Sequence, residues 1–160
     1  MLGLKDLAAI AAEHAAELDT EVRPFDIAGQ INLPSAQPLI MGVINLSADS
    51  WYRESIRTSV ESAVERGNEL RKQGAAIIDI GAESTLGQAQ RVGGEEQRQR
   101  LLPVIAELAS QGVIVSAETY DAGVAKTCLE AGAKVLNLTG TADSEAIYRL
   151  AAGHQAAVIV

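Results

Sequence analysis

Aromatic residues are scarce: one tryptophan, three tyrosines and one phenylalanine in 160 residues. Any core must therefore be built from aliphatic and alanine side chains. Cysteine occurs once, at Cys128, which excludes an intrachain disulfide or a multi-cysteine metal site and fits a reducing compartment. Cys128 lies in a helix-like stretch with Val124 and Leu129, so it reads as a buried thiol rather than a nucleophile. Basic charge is also short: 13 Lys and Arg face 21 Asp and Glu, a net charge of -8. With no basic field to neutralise a phosphate backbone, nucleic acid is not expected as a partner. Local anion binding at a helix N-terminus or glycine loop stays open.

No apolar run reaches the length of a membrane span. The first residues carry Lys5, Asp6, Glu13 and Glu17 where a secretory signal would need an apolar core. These features place the expected protein in the cytoplasm, away from membranes. There is no Gly-x-Gly-x-x-Gly fingerprint, Walker loop or His-Glu-x-x-His pair. His14 and His154 fall in the first helix and at a helix end, where surface or capping roles suit them.

What remains is an ordinary globular balance, 48% hydrophobic and 21% charged, enough for one domain with a substantial core. Leu4, Leu7, Ala11, Ala15 and Leu18 predict an amphipathic helix over 4–18. Its acidic polar face suits a packing or dimer contact rather than a membrane. Residues 1–24 are thus an accessory helix and linker, and 25–160 form the main unit. Phe25 to Leu33 alternates about a glycine turn and predicts a hairpin. Strands are then expected at 39–46, 75–82, 112–118, 133–138 and 155–160. Helices are expected between them, with Pro103 kinking or restarting the second and Asp143 capping the last. Gly74, Gly112, Gly132 and Gly153 each separate a helix from the next strand, as C-caps would. Repeated βα units fit an open doubly wound sheet or a (β/α)8 barrel, and a barrel needs about 250 residues. Four units and one strand would be its front half.

The strand ends carry the chemistry. Alternation puts Met41, Val43 and Asn45 on one face, as it does Asp79, Gly81 and Glu83, then Ile114, Ser116 and Glu118, then Val135 and Asn137. The opposite faces are apolar or glycine. Asn45, Asp79, Glu83, Glu118 and Asn137 are therefore expected to converge at the C-terminal strand ends, where α/β proteins bind ligands. A plainer role for Asp79 and Glu83 is hydrogen bonding to nearby loops. Glutamate and asparagine together could read the edge of a flat heterocycle. Ser47, Asp49, Ser50, Ser84, Thr85, Gly87 and Arg91 in the following loops are candidates to hold a phosphate group.

Met41-Gly-Val-Ile-Asn-Leu-Ser-Ala-Asp-Ser50, Ile78-Asp-Ile-Gly-Ala-Glu-Ser-Thr85, Ser116-Ala-Glu-Thr119 and Val135-Leu-Asn137 occur in that order. In these segments, over roughly residues 25–160, the sequence resembles dihydropteroate synthase and the wider pterin-binding enzyme family. The resemblance implies a TIM (β/α)8 barrel, here its first half, whose C-terminal face joins 4-aminobenzoate to a dihydropterin pyrophosphate with loss of pyrophosphate. It implies that Glu118 and Asn137 hold the pterin ring, and Asp79 on the same face is expected as a third pterin-binding residue. Asn45 is similar to the asparagine near Mg2+ and pyrophosphate, and Thr85 to a pyrophosphate-contacting threonine. The sequence departs from the family at Ser47-Ala48 (Thr-Pro), Leu86-Gly87 (Arg-Pro), Glu118 (Asp) and Leu138 (Asp). Arg91 is the residue expected to fold back in place of the lost arginine.

The implied function is a dihydropteroate synthase-like transferase, working as part of a longer chain or assembly. The partner would be a second copy or a barrel-completing segment, and residues 1–160 alone are expected to be inactive. A methyltetrahydrofolate-type methyltransferase and a noncatalytic pterin-binding or assembly protein are the alternatives. The first would explain Leu86, because it has no pyrophosphate to hold.

Overall fold

The computed structural model describes residues 3–18, 20–21, 23–47, 53–57, 59–83, 92–138 and 144–160. Ten apolar-rich residues form α1 (Leu4–Glu13), and His14 interrupts the helix before α2 (Ala15–Leu18), so the single helix expected over 4–18 is two. Neither has a buried residue, and Leu4, Leu7, Ile10 and Leu18 remain exposed. The hairpin expected next is present: β1 (Phe25–Ile27) pairs antiparallel with β2 (Ile31–Leu33). Its turn places Ala28 and Gly29 at positive φ, and Asp26 accepts from the Gly29 amide.

The main sheet has five parallel strands in chain order: β3 (Met41–Asn45), β4 (Ile77–Gly81), β5 (Val115–Glu118), β6 (Val135–Asn137) and β7 (Ala157–Ile159). All five fall inside the expected spans and are shorter than them. A doubly wound sheet reverses its strand order; this one never does, as a barrel sector requires. Each crossover carries a helix: α3 (Val60–Lys72), α4 (Gly94–Ser110), α5 (Ala122–Glu130) and α6 (Ser144–Gly153). Ser59 caps α3 by accepting from the Ser62 amide, and Asp121 caps α5 by accepting from Val124. Asp143, the expected cap of α6, lies outside the described residues.

Parallel strands covered on both faces need apolar side chains on both. On the outer face Ile44, Ile78, Ile80, Val115, Ala117 and Leu136 pack against Leu101, Ile105 and Leu108 of α4 and Val124 of α5. On the inner face, at the N-terminal strand ends, Ile77, Ile114 and Val135 meet Ile27 and Ile31 of the hairpin. The hairpin thus plugs one end of the barrel sector, leaving the other for polar groups.

Two helix expectations are narrowed by the structure. Helix α4 runs through Pro103 without restarting. Pro103 and Gln99, whose carbonyl loses its helical partner, are both exposed, so water can serve the freed oxygen. Gly74, Gly112 and Gly132 do take positive φ after their helices, but Gly153 ends α6 and Gln155 takes the left-handed position instead. Gly132 is the most constrained, because a Cβ there would lie 2.8 Å from the Ala109 Cβ. Gly132→Ala should lose about 2–4 kcal/mol, from a φ that L-residues avoid and from overpacking. Urea unfolding measures it, and an unchanged midpoint would show that the turn relaxes.

Candidate functional site

The register of the sheet builds the site in two rows. Val43, Asp79, Ser116, Val135 and Ala157 are neighbours in the lower row. Asn45, Gly81, Glu118, Asn137 and Ile159 are neighbours in the upper row, at the C-terminal strand ends. Partners in parallel register project to the same side, so Asn45, Asp79, Glu118 and Asn137 share one face as the alternation predicted.

Asp79 anchors this face. It is 2% exposed, and each of its oxygens accepts a hydrogen bond. Ser116 donates its hydroxyl to Oδ1 at 2.5 Å and Asn137 donates Nδ2 to Oδ2 at 3.0 Å. Burial pushes the Asp79 pKa above its ordinary value, while these two donors pull in the opposite direction and lose. The bond also orients Asn137: one of its two amide N–H groups is taken by Asp79, and its side-chain Oδ1 is an acceptor open to a ligand.

Glu118 differs from Asp79. No donor reaches its carboxylate among the described residues, and it is only half-buried. Desolvation, then the nearby charges of Asp79 and Glu83, raise its pKa to about 7. The folded state therefore holds a proton that the unfolded chain has released. The stability tied to this group is full below the ordinary value of 4.5 and is lost as pH rises through about 7. Glu118→Gln, a neutral isostere, should stabilise the ligand-free protein at pH 8 by about 1–2 kcal/mol, solvent at the rim screening part of the full shift. At pH 5 the gain should vanish. Urea unfolding at both pH values reads this, and an equal effect at both would detach it from ionisation.

Asn45 occupies the rim on β3. Its Nδ2 donates to Ser55 Oγ at 2.5 Å, and Arg57 donates its amide to the Asn45 carbonyl, so the chain after β3 folds back over the strand end. Glu83, expected on the same face, is turned aside. Strand β4 ends at Gly81, and Glu83 accepts from Gln97 Nε2 on α4 and from the Tyr120 hydroxyl, each at 2.9 Å. The plainer loop-bonding role therefore holds for Glu83, and its charge reaches Glu118 only through space. Thr85 and Arg91 lie outside the described residues, as do Asp49, Ser50, Ser84, Leu86 and Gly87. Leu138, where the family carries aspartate, packs into the core on the helix side.

Ser116 had a signal in the sequence, the shared face with Glu118. Gln97 and Ser55 had none, because they arrive from a separate helix and from a short 3-10 turn, Arg53–Ser55. Cys128 is fully buried on α5, and burial raises its thiol pKa to about 12, an inert group. Among the described residues no set of three or more His, Cys, Asp or Glu is gathered to hold a metal, and no helix is long and apolar enough to cross a membrane.

A parallel barrel sector plugged at its N-terminal end, with paired acid and amide groups at the C-terminal strand ends, defines a (β/α)8-barrel ligand-binding protein. The chain belongs to the pterin binding enzyme family, whose sequence pattern matches residues 41–160. It is 34% identical over 124 residues to the dihydropteroate synthase of Bacillus subtilis, covering 76% of this chain and 44% of that protein. It is 37% identical over 122 residues to a probable bifunctional folylpolyglutamate synthase/dihydropteroate synthase of Halobacterium salinarum, covering 76% of this chain and 15% of that one. A dihydropteroate synthase structure from Yersinia pestis superposes with a TM-score of 0.74 at 27% identity, covering 85% of this chain and 49% of that chain. One from Xanthomonas albilineans, solved with 4-aminobenzoic acid, gives 0.71 at 32%, covering 86% and 51%. The chain spans about half or less of the length of these relatives, and its fold is the N-terminal half of a (β/α)8 barrel.

Proposed function

We propose that this chain supplies the pterin-holding half of a dihydropteroate synthase-like transferase that joins 4-aminobenzoate to a dihydropterin pyrophosphate. The observation that carries the reading is the acceptor-rich rim. The Glu118 carboxylate and the Asn137 side-chain Oδ1 are adjacent in register, and neither accepts a hydrogen bond from the protein among the described residues. The amino-pyrimidinone edge of a pterin offers neighbouring N–H donors that such a pair accepts. Asp79 belongs to this ring subsite as the group that holds Asn137. The Xanthomonas albilineans dihydropteroate synthase, a similar fold, has been solved with 4-aminobenzoic acid and with 7,8-dihydropteroate.

Asn45, Thr85 and Arg91 are assigned to the pyrophosphate. Asn45 suits Mg2+ by its chemistry: Nδ2 is committed to Ser55, which leaves Oδ1 as a hard oxygen ligand. A cation that keeps waters and is shared with substrate phosphates needs few protein ligands. When bound, magnesium supplies charge neutralisation for the departing pyrophosphate. The chain's own residues bind and orient. The amine nitrogen of 4-aminobenzoate forms a bond to the pterin methylene carbon as the carbon–oxygen bond to pyrophosphate breaks, and the nitrogen then sheds a proton to solvent. No covalent enzyme intermediate is needed.

Leu86 in place of the family arginine favours a second reading, a methyltetrahydrofolate-type methyltransferase. Calorimetry with dihydropterin pyrophosphate, dihydropterin alone and methyltetrahydrofolate separates the two. The transferase reading expects the pyrophosphate ester to bind most tightly, and only with magnesium present; tightest binding of methyltetrahydrofolate would replace it. The buried free thiol of Cys128 supports a reducing, cytoplasmic setting. The exposed apolar side chains Leu4, Leu7, Ile10 and Leu18 support a homodimer contact, which sedimentation velocity would refute by returning a monomer.

A further inference from the structure

We propose that Gly81 is a positioning residue for Glu118, and that its missing side chain sets where the acidic group of this site stands. Gly81 lies within β4, with none of the positive φ that marks Gly74, Gly112 and Gly132. Its backbone therefore does not require glycine. Its surroundings tie it to Glu118: a Cβ at Gly81 would fall within collision distance of Glu118 Oε2, the mobile end of that side chain, which would have to move aside, and would lie 3.6 Å from Asn45 Oδ1. The Glu118 carboxylate thus leans from its own strand across to β4 and shares the space above Gly81 with the Asn45 amide oxygen. An aspartate at 118, one methylene shorter, would not reach that place. The pairing of a bare position on β4 with a long acid on β5 moves the negative charge towards β3, and with it the point where a ligand must present its donors.

The ligand part of this inference rests on the pterin reading; the carboxylate's own titration does not. Gly81→Ala, Glu118→Asp and the double variant are compared by 13C NMR titration of the residue-118 carboxyl, assigned by its loss in Glu118→Gln, and by calorimetry with a dihydropterin. In the unmodified protein the Glu118 midpoint should lie at about 7. Gly81→Ala should expel the carboxylate towards solvent, lower that midpoint by at least about one pH unit and weaken dihydropterin binding at least tenfold. In the Glu118→Asp background the same alanine should change affinity less than threefold, because the shorter acid no longer occupies its place. Failure of Gly81→Ala to fold, with recovery in the double variant, would be the same coupling seen in stability. An unchanged midpoint, equal weakening in both backgrounds, or unfolding of both variants would overturn the proposal. Absence of dihydropterin binding to the unmodified protein would count against the pterin reading, and the carboxyl titration would then decide the role of Gly81 alone.

Discussion

Glu118→Gln is expected to weaken dihydropterin binding by about 2–5 kcal/mol, roughly thirtyfold to several thousandfold, because one accepting oxygen becomes a donor facing a donor. The size of the effect follows from the setting. Glu118 accepts no hydrogen bond among the described residues, so its acceptor oxygens are open to a ligand. Glu118→Asp should cost less, since charge and acceptor geometry survive on a shorter arm. Asn137→Ala should weaken the same ligand, and the double variant with Glu118→Gln should be non-additive because both groups touch one ring. On the pterin reading the carboxylate is also the binding form. With the Glu118 pKa at about 7, affinity should fall about tenfold per pH unit below that value and level off above it. Glu118→Gln should remove this slope. Calorimetric titrations between pH 5.5 and 8.5 test both points, and equal affinities for the two proteins would take Glu118 out of the site.

Asp79→Leu should destabilise the fold by about 2–4 kcal/mol, whether or not a ligand is present. The leucine fills the space but leaves the Ser116 hydroxyl and the Asn137 amide without their acceptor at a position that is 2% exposed. Asp79→Asn, which keeps one acceptor, should lose less. Replacing all three partners with apolar residues should recover much of the loss, since burying an acid costs more than burying a hydrocarbon. It would also abolish ligand binding, because Asn137 is gone. Urea midpoints across this series separate the two costs. A fully stable Asp79→Leu would mean that water or a rotated side chain satisfies the stranded donors.

The strand–helix alternation was legible because buried parallel strands leave short apolar runs between helix-capping glycines; that pattern fits barrel and open sheet alike, and the barrel followed from the resemblance. The shared face was legible because alternation is strict inside a strand, which puts Asn45, Asp79, Glu118 and Asn137 on one side; the rows that set Asp79 beside Ser116 and Glu118 beside Asn137 come from the register between strands. The same rule failed at Glu83, two residues beyond Gly81, because β4 had already ended and the chain had turned towards α4. Gln97 and Ser55 gave no signal, since their roles depend on elements meeting in space. The Gly81–Glu118 pairing was only half visible: both residues sit on the predicted face, but the reach of the longer acid across a strand is a property of side-chain geometry. At Gly153 the reading misplaced the turn by two residues, because a glutamine adopts the left-handed conformation where a glycine was expected.

The central claim is that this rim holds a pterin by its donor edge. A crystal structure of the protein with a dihydropterin bound tests it most directly. The ring N–H and amino groups should lie about 2.7–3.1 Å from the Glu118 carboxylate, with Asn137 Oδ1 on the same ring and Asp79 beneath, still bonded to Asn137 rather than to the ligand. A dihydropterin bound away from the C-terminal ends of β4, β5 and β6, or bound there with Glu118 turned away from it, would contradict the account.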